Sequence, residues 1–391
     1  MSSVLSSSDI ARYSRHIRLP QVGMEGQEKL AKSRVLIIGM GGLGSPVALY
    51  LAAAGIGTLG LAEFDKVEAH NLQRQILHKD ASVGKAKIES AKHELSALNP
   101  NINLECHPQG IQQESAVELI SKYDLVVDGS DNFPTRYLVN DAAYFAKRPL
   151  VYGSIFQFEG QVSLFHPNEG GPCYRCLFPS MPEPGTVPNC EQAGVFGALC
   201  GVVGSLQSME AIKHLLEIGV SLDGKLMVVD ALDMNFRKLN LKKDPDCPLC
   251  GSYAKIKAID PANYIFSCTT TNKEAKTSNK NMSEENPIEI SVTEAKKLLE
   301  GSGPVTLIDV REDFERDICK IEPSVHIPMK TIPNELDRIP KEGVVLVHCH
   351  HGMRSMNVVQ FLRQKGFVNT TNVAGGIDAW AVELDPEMNR Y

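Results

Sequence analysis

The sequence predicts an α/β fold in two domains, the larger built on a doubly wound parallel sheet. Three observations lead there. The stretch Val35-Leu-Ile-Ile-Gly-Met-Gly-Gly-Leu-Gly44 runs β-formers into Gly39-x-Gly41-x-x-Gly44, the pattern of strand, glycine turn and helix. Downstream, short apolar runs alternate with helical stripes, which implies a parallel sheet covered on both faces. After the polar run 269–286 a second, shorter strand–helix alternation begins.

In chain order, residues 9–32 read as two short helices joined by a turn. Their Arg12, Arg15 and Arg18 form a basic cluster whose plainest reading is a solvated face. After the glycine turn, Ser45 is the expected N-cap and Pro46 the first helical residue of a segment that stops at Gly55. Leu59–Asp65 is the next apolar run, closed by Glu63 and Asp65. Lys85–Leu98 places Ile88, Ala91, Leu95 and Leu98 on one helical stripe, and Asn99-Pro100 ends it. Ile102–Cys106 reads as a strand, Glu114–Lys122 as a helix and Asp124–Asp128 as a short buried strand. Gly129-Ser-Asp131-Asn132 follows, then a helix over Phe133–Ala146 and a strand at Pro149–Tyr152. Gly160 to Pro172 has a hairpin-like texture, Gly194–Ile218 is a long apolar helix, and Lys225–Asp230 and Asn235–Leu241 are late strands.

Residues 269–286 hold too few large apolar groups to stay folded alone. Beyond them, strands are expected at Val305–Asp309, Val344–Cys349 and Thr370–Val373, with helices at Val292–Leu299, Arg354–Lys365 and from Ile377 onward. The resulting division is a first domain at 1–255, a linker at 256–286 and a second domain at 287–391.

Composition excludes several classes. At 391 residues the chain can bury two cores, and 43% hydrophobic with 22% charged residues is ordinary for a globular protein. A net charge of −7 gives no support for non-specific nucleic-acid binding. No apolar run reaches the roughly 18 residues of a membrane span. Met1-Ser-Ser-Val-Leu-Ser-Ser-Ser8 lacks the basic and apolar parts of a secretion signal. The expected location is the cytoplasm, where ten cysteines point to metal or catalytic duty rather than to disulfides.

The glycine turn brings backbone N–H groups and a helix N-terminus close to a phosphate, and an acid at Glu63 can accept from ribose hydroxyls. Taken alone, that fits a dinucleotide as well as ATP. The segment His70-Asn71-Leu72-Gln73-Arg74-Gln75, with Lys85 and Lys87 after it, adds more positive charge than hydride transfer needs. It suits a triphosphate whose leaving pyrophosphate must be neutralised. Asp131 is then a candidate Mg²⁺ ligand, since that ion needs only one or two carboxylates beside phosphate oxygens.

Cys173-Tyr-Arg-Cys176 and Cys247-Pro-Leu-Cys250 have the spacing of a closed, structural four-cysteine zinc site. Two redox dithiols are the alternative. Cys190 lies in a loop before the long helix, where a helix N-terminus lowers a thiol pKa, whereas Cys200 within that helix reads as core. In Val347-His-Cys349-His-His-Gly-Met-Arg354-Ser355, Cys349 sits at a strand end facing a helix start, a cradle for an anionic sulfur. Arg354 with His350 or His351 adds positive charge, and His348 is expected on the opposite face. A metal held by His348, His350 and His351 is the weaker reading.

With these residues assembled, the chain resembles the MoeB/ThiF family of the ubiquitin-activating superfamily in its MoeZ-like form, fused to a rhodanese domain. The motifs that carry the resemblance are Arg12-Tyr-Ser-Arg15, Gly39–Gly44, Asn71-Leu-Gln-Arg74-Gln75, Lys87, Asp131-Asn132, both cysteine pairs and Cys349–Arg354. Glu63 stands where the family commonly has Asp, and Glu322-Pro-Ser-Val-His-Ile replaces a glycine-containing approach to the rhodanese sheet.

The resemblance implies a Rossmann-like adenylation domain with a zinc site and a smaller rhodanese-like α/β domain. It implies that ATP, with Mg²⁺, adenylates the C-terminal glycine of a ubiquitin-like sulfur carrier ending in Gly-Gly. Gly39, Gly41, Gly42 and Gly44 would approach the nucleotide, and Glu63 would bind ribose. His70, Asn71, Leu72, Gln73, Arg74 and Lys87 would surround the phosphates, while Asp131 and Asn132 would handle Mg²⁺ and the adenylate. Arg15 would reach the γ-phosphate of a neighbouring subunit, which implies a homodimer. Cys190 would take the acyl group or resolve a disulfide. Cys349 would carry a persulfide supplied by a cysteine desulfurase or thiosulfate, and its six-residue loop to Arg354 suits sulfur transfer better than phosphatase chemistry. The product would be a carrier thiocarboxylate for molybdopterin, thiamine or thiolated-tRNA synthesis. Three rival readings are an adenylating enzyme whose second domain only docks a donor, a nicotinamide-dependent oxidoreductase, and a non-enzymatic scaffold for a ubiquitin-like partner.

Overall fold

The computed structural model describes residues 5–182, 194–264 and 287–390. The chain forms two compact units, residues 1–268 and 269–391.

The larger unit is organised on an eight-stranded sheet. Its strands are β1 (Arg34–Ile38), β2 (Thr58–Ala62), β3 (Asn103–His107), β4 (Leu125–Asp128), β5 (Leu150–Phe156), β6 (Glu159–Phe165), β7 (Lys225–Asp230) and β8 (Asn235–Asn240). They lie in the order β3-β2-β1-β4-β5-β6-β7-β8. Pairing is parallel from β3 to β5 and antiparallel from β5 to β8. The chain leaves β1 for β2 on one side and later returns to β4 on the other, so the strand order reverses at β1. Crevices at such reversals are where ligands bind.

One sheet face is covered by helices Gly44–Ala54 and Gly197–Leu216, which pack on each other and bury Val47, Leu51, Leu199 and Val203 against Val35, Ile37 and Val127. The other is covered by helix Phe133–Phe145, with Tyr137 and Val139 packed against Leu36 and Val126.

Three local expectations change. The N-terminal region forms three helices, Ser7–Arg12, Ser14–Ile17 and Gly23–Lys32. Ser45 is not an N-cap: the helix starts at Gly44, and the buried Ser45 hydroxyl donates to the Met40 carbonyl at 3.3 Å. The glycine turn above the helix takes up that hydroxyl. Gly55 ends the helix with φ +81°, as only glycine does readily. Residues 256–264 pack on the first unit instead of leaving it at 255: Ile256 joins the cysteine cluster, and the buried Tyr264 hydroxyl donates to Asp141 at 2.8 Å. The rest of the expected linker, 265–286, lies outside the described residues.

Among the described residues the smaller unit has five strands, β9 (Glu289–Ile290), β10 (Val305–Asp309), β11 (Val325–His326), β12 (Val344–His348) and β13 (Thr370–Val373), in the order β11-β10-β12-β13-β9. All pairings are parallel. β12 ends at His348, so Cys349 lies just past the strand, and helix Met353–Gln364 follows. Among the described residues, no helix is long and apolar enough to cross a membrane.

His348 is fully buried, with Nε2 3.7 Å from Asp309 Oδ2. Burial holds its imidazole down at about 4, well under the ordinary 6.5. The unfolded chain therefore binds a proton the fold excludes between those values, and stability rises with pH across that window. Destabilisation of the smaller unit as pH falls from about 6.5 to about 4 is expected to be on the order of 3 kcal/mol at the limit. Denaturant unfolding of the full chain at several pH values will read this through Trp380, its single tryptophan, which lies in helix Gly376–Glu383 of this unit. His348→Gln should flatten the dependence; an unchanged slope would exclude His348 as its source.

Candidate functional site

A cavity opens at the carboxyl ends of the parallel strands. It is lined by Gly39, Gly41 and Gly42 after β1, Glu63 and Asp65 after β2, Arg74, Lys87, and Asp131 and Asn132 after β4. Sequence distance is large between these groups. The glycines, Glu63, Asp65, Asp131 and Asn132 follow strand ends, while Arg74 and Lys87 reach the cavity from the connection between β2 and β3.

The turn has a defined backbone. Gly39 has φ +81°, and a Cβ at Gly44 would collide with the Gly39 carbonyl oxygen. Gly44 thus permits close helix–strand contact and does not line the cavity. A Cβ at Gly42 would stand 2.9 Å from Cys200 Sγ. Met40, between the first two glycines, donates its N–H to Glu63 Oε2 at 2.9 Å. Glu63 Oε1 accepts from the N–H groups of Phe64 and Asp65 at 2.7 and 2.9 Å. The carboxylate therefore first organises the backbone around the turn, and it also lines the cavity with about one acceptor site left on Oε2.

Two cations line the cavity. Lys87 begins helix Lys87–Leu98, and its largely buried Nζ lies 3.2 Å from Asp65 Oδ2. Arg74 is half-buried and donates to the His70 carbonyl at 3.2 Å. Asp131 is exposed at the rim, and its carboxylate makes no hydrogen bond or ion pair among the described residues, which leaves it open to a cation. Asn132 Oδ1 caps helix Phe133–Phe145 by accepting from Thr135 N–H at 2.9 Å, so its amide nitrogen is what it offers a ligand.

Other expected residues lie elsewhere. Asn71 is buried and its Oδ1 accepts from Glu68 N–H at 3.2 Å, while its carbonyl accepts from the N–H groups of Arg74 and Gln75. It shapes the turn that presents Arg74. His70, Leu72 and Gln73 do not line the cavity, and His70 pairs with Glu68 at 3.6 Å. Arg15 is exposed on helix Ser14–Ile17, also outside the lining. Cys190 lies outside the described residues. Conversely, Cys200 is buried as expected and also lines the cavity, as do Ile111, Thr135, Ile155 and Val195. Nothing in their apolar or small character marks them in sequence. Gln75 is 4% exposed, lines the cavity and has no partner for Oε1 among the described residues.

The sulfurs of Cys173, Cys176, Cys247 and Cys250 all lie within 4.8 Å of one another. Adjacent pairs are separated by 3.4–3.9 Å. Four sulfurs at about 2.3 Å from a tetrahedral ion stand about 3.8 Å apart, and disulfide sulfurs stand about 2.05 Å apart. The cluster thus fits a metal and not a pair of disulfides. It is also the only group of such donors close enough to share an ion among the described residues.

In the smaller unit, Cys349 is 1% exposed. Its Sγ accepts from Gly352 N–H at 3.1 Å and from the Ser355 hydroxyl at 3.4 Å. Gly352, at φ +92°, turns the chain into helix Met353–Gln364, whose N-terminus faces the sulfur loop. Arg354 forms a bidentate pair with the buried Glu315, both bonds at 2.6 Å. The positive charge expected from Arg354 beside the sulfur is thus paired, through two of its nitrogens, with that carboxylate. His350 and His351 stack edge to face, while His348 lies at Asp309. The three histidines do not form a shared donor set.

Residues 13–249 match the ThiF family, and residues 291–383 match the rhodanese-like domain. The chain is 40% identical over 395 residues to "Probable adenylyltransferase/sulfurtransferase MoeZ" of Mycobacterium tuberculosis, covering 100% of this chain and 97% of that protein. It is 40% identical over 410 residues to "Adenylyltransferase and sulfurtransferase MOCS3" of Bos taurus, covering 100% and 89%. Against MOCS3-2 of Zea mays it is 39% identical over 399 residues, covering 99% and 82%. Among solved structures, E. coli MccB with ATP aligns at TM-score 0.54 and 26% identity, covering 64% of this chain and 77% of that one. The complex of MccB with MccA-N7isoASN aligns at 0.55 and 25%, covering 64% and 76%.

Replacing one sulfur ligand tests the metal site. Cys247→Ser is expected to lose roughly one metal ion per chain and to lower the thermal midpoint of the larger unit. Elemental analysis of the purified variant beside the unaltered chain reads the first outcome and calorimetry the second. Equal metal content would refute a four-sulfur site.

Proposed function

The chain belongs to the ThiF family and carries a rhodanese-like domain, and on that premise we propose that it adenylates a small ubiquitin-like sulfur carrier and then transfers sulfur to it. The observation that carries the reading is one cavity combining a glycine turn, two cations and an uncommitted carboxylate, in the same chain as a cysteine held by fixed donors. The ribose of ATP lies toward Glu63 and its phosphates toward Gly41, Gly42, Arg74 and Lys87.

In the first stage, a carboxylate oxygen of the carrier's C-terminal glycine attacks the α-phosphorus. The bond from that phosphorus to the bridging oxygen breaks, and pyrophosphate leaves. Arg74 and Lys87 offset the charge that develops on the departing group. Lys87 is already oriented by Asp65, so little rearrangement is needed at the moment of reaction. Mg²⁺, when bound at Asp131, supplies further neutralisation of phosphate charge. A second copy of the chain contributes Arg15 toward the γ-phosphate, which makes the working unit a homodimer. The four-cysteine site would hold Zn²⁺ as a closed structural ion, a role that the sulfur spacing fits.

In the second stage, the terminal sulfur of a Cys349 persulfide attacks the acyl carbon, and AMP leaves. The product is an acyl disulfide on Cys349. A thiol, which we assign to Cys190, then attacks Cys349 Sγ; the sulfur–sulfur bond breaks and the carrier leaves as its thiocarboxylate. An external dithiol reduces the Cys190–Cys349 disulfide and is itself oxidised. Gly352 N–H and the Ser355 hydroxyl support the Cys349 thiolate whenever it forms. A cysteine desulfurase or thiosulfate reloads the persulfide, and the reaction belongs in the cytoplasm.

Two measurements separate the stages. Lys87→Ala should lower carrier-dependent ATP–pyrophosphate exchange by about 100-fold or more; exchange within about twofold of the unaltered chain would remove Lys87 from the phosphate site. Cys349→Ala should preserve that exchange and abolish thiocarboxylate formation, read by mass spectrometry of the carrier. Loss of both activities in a folded Cys349→Ala protein would overturn the division of labour.

A further inference from the structure

We propose that His78 is a positioning residue for adenylation, because its side chain ties the glycine turn to the helix that carries Lys87. This rests on the nucleotide reading above and adds a residue outside the cavity lining. His78 is 4% exposed and does not line the cavity. Its Nε2 lies 3.0 Å from the Met40 carbonyl oxygen, and its Nδ1 lies 3.0 Å from Ser90 Oγ. A carbonyl only accepts, so Nε2 carries the hydrogen. The neutral ring then accepts the Ser90 hydroxyl at Nδ1, and burial lowers the imidazole pKa in the same direction.

Each end of this bridge holds a nucleotide-binding element. Met40 is the residue between Gly39 and Gly41, and its peptide groups are fixed on both sides. Its N–H goes to Glu63, and its carbonyl receives His78 together with the longer bond from Ser45. Ser90 lies one turn after Lys87 in helix Lys87–Leu98 and is itself buried. The backbone of His78 closes the third side: its N–H donates to the Gln75 carbonyl at 3.0 Å, in the turn that presents Arg74 and Gln75. The imidazole therefore sets the spacing between the glycine turn and the helix of Lys87, while the backbone of the same residue ties it to the turn of Arg74. A misplacement of about 1 Å among such groups is enough to cost on the order of 100-fold in rate.

The two ring nitrogens are tested separately. Glutamine places an N–H near Nε2 and keeps the Met40 bond; asparagine reaches only the Nδ1 position and loses it. In ATP–pyrophosphate exchange with the full chain, His78→Gln should stay within about fivefold of the unaltered kcat/KM for ATP. His78→Asn should fall by about 100-fold, mainly in kcat. Ser90→Ala, which removes one small hydroxyl, should lower kcat by about tenfold with little change in thermal midpoint, and it keeps the test alive if His78→Asn fails to fold. A purely structural role predicts unchanged kcat per folded molecule in all three variants, and that result would overturn the proposal. The unaltered chain is the control for the nucleotide reading: no exchange there would sink that reading itself, whereas exchange there with indifferent variants sinks only the role of His78.

Discussion

The contact between the Gly39 carbonyl and the backbone of Gly44 is the constraint on which the larger unit's site depends. Any side chain at Gly44 would collide with that carbonyl, so the helix and the strand can approach only as bare backbone. This close approach sets the start of helix Gly44–Ala54 beside a cavity lined by Gly39, Gly41, Gly42 and Leu43. It also fixes Met40, whose two peptide groups are then taken by Glu63 and His78. The glycine turn is thus held by its neighbours rather than left as a loose loop, which suits the recognition of phosphate by backbone dipoles.

Charge placement follows from the same geometry. Lys87 and Asp65 form a pair in which the lysine is largely buried and the aspartate is half exposed. Burial of the ammonium strengthens its interaction with any phosphate entering the cavity, since less water screens it. Asp131 sits at the exposed rim instead, with no hydrogen-bond or ion-pair partner among the described residues. A cation shared with phosphate oxygens would therefore meet Asp131 from the solvent side, and Lys87 would meet the phosphates from the protein side.

Local patterns made most of the fold legible in the sequence. The run from Val35 into Gly39–Gly44, the apolar strands and the two Cys-x-x-Cys pairs are signals within a few residues, and the structure keeps all three. The contacts that were not legible are the ones closed across the chain. Ser45 looks like a cap until the buried turn above it is known. Asn71 looks like a phosphate ligand, yet its side chain serves the backbone three residues earlier. Cys200 reads as core because its helix is apolar, and the cavity it also lines comes from strands far away in sequence. Arg354 reads as charge for the adjacent cysteine, whereas its carboxylate partner lies 39 residues earlier.

Both sites use a buried carboxylate in the same way. Glu63 gathers three backbone N–H groups around the glycine turn, with one oxygen serving Met40 and the other serving Phe64 and Asp65. Glu315 holds both terminal nitrogens of Arg354 and accepts the Glu312 N–H, fixing the residue next to Ser355 in the sulfur loop. Each carboxylate receives donors on both oxygens. An amide accepts on one side only and presents hydrogens on the other. Its nitrogen would face an N–H donor at either position, leaving a buried donor without an acceptor, which costs roughly 1–3 kcal/mol where it occurs. The acid is thus required at both positions for its two-sided acceptance, independently of any contact with nucleotide or sulfur donor.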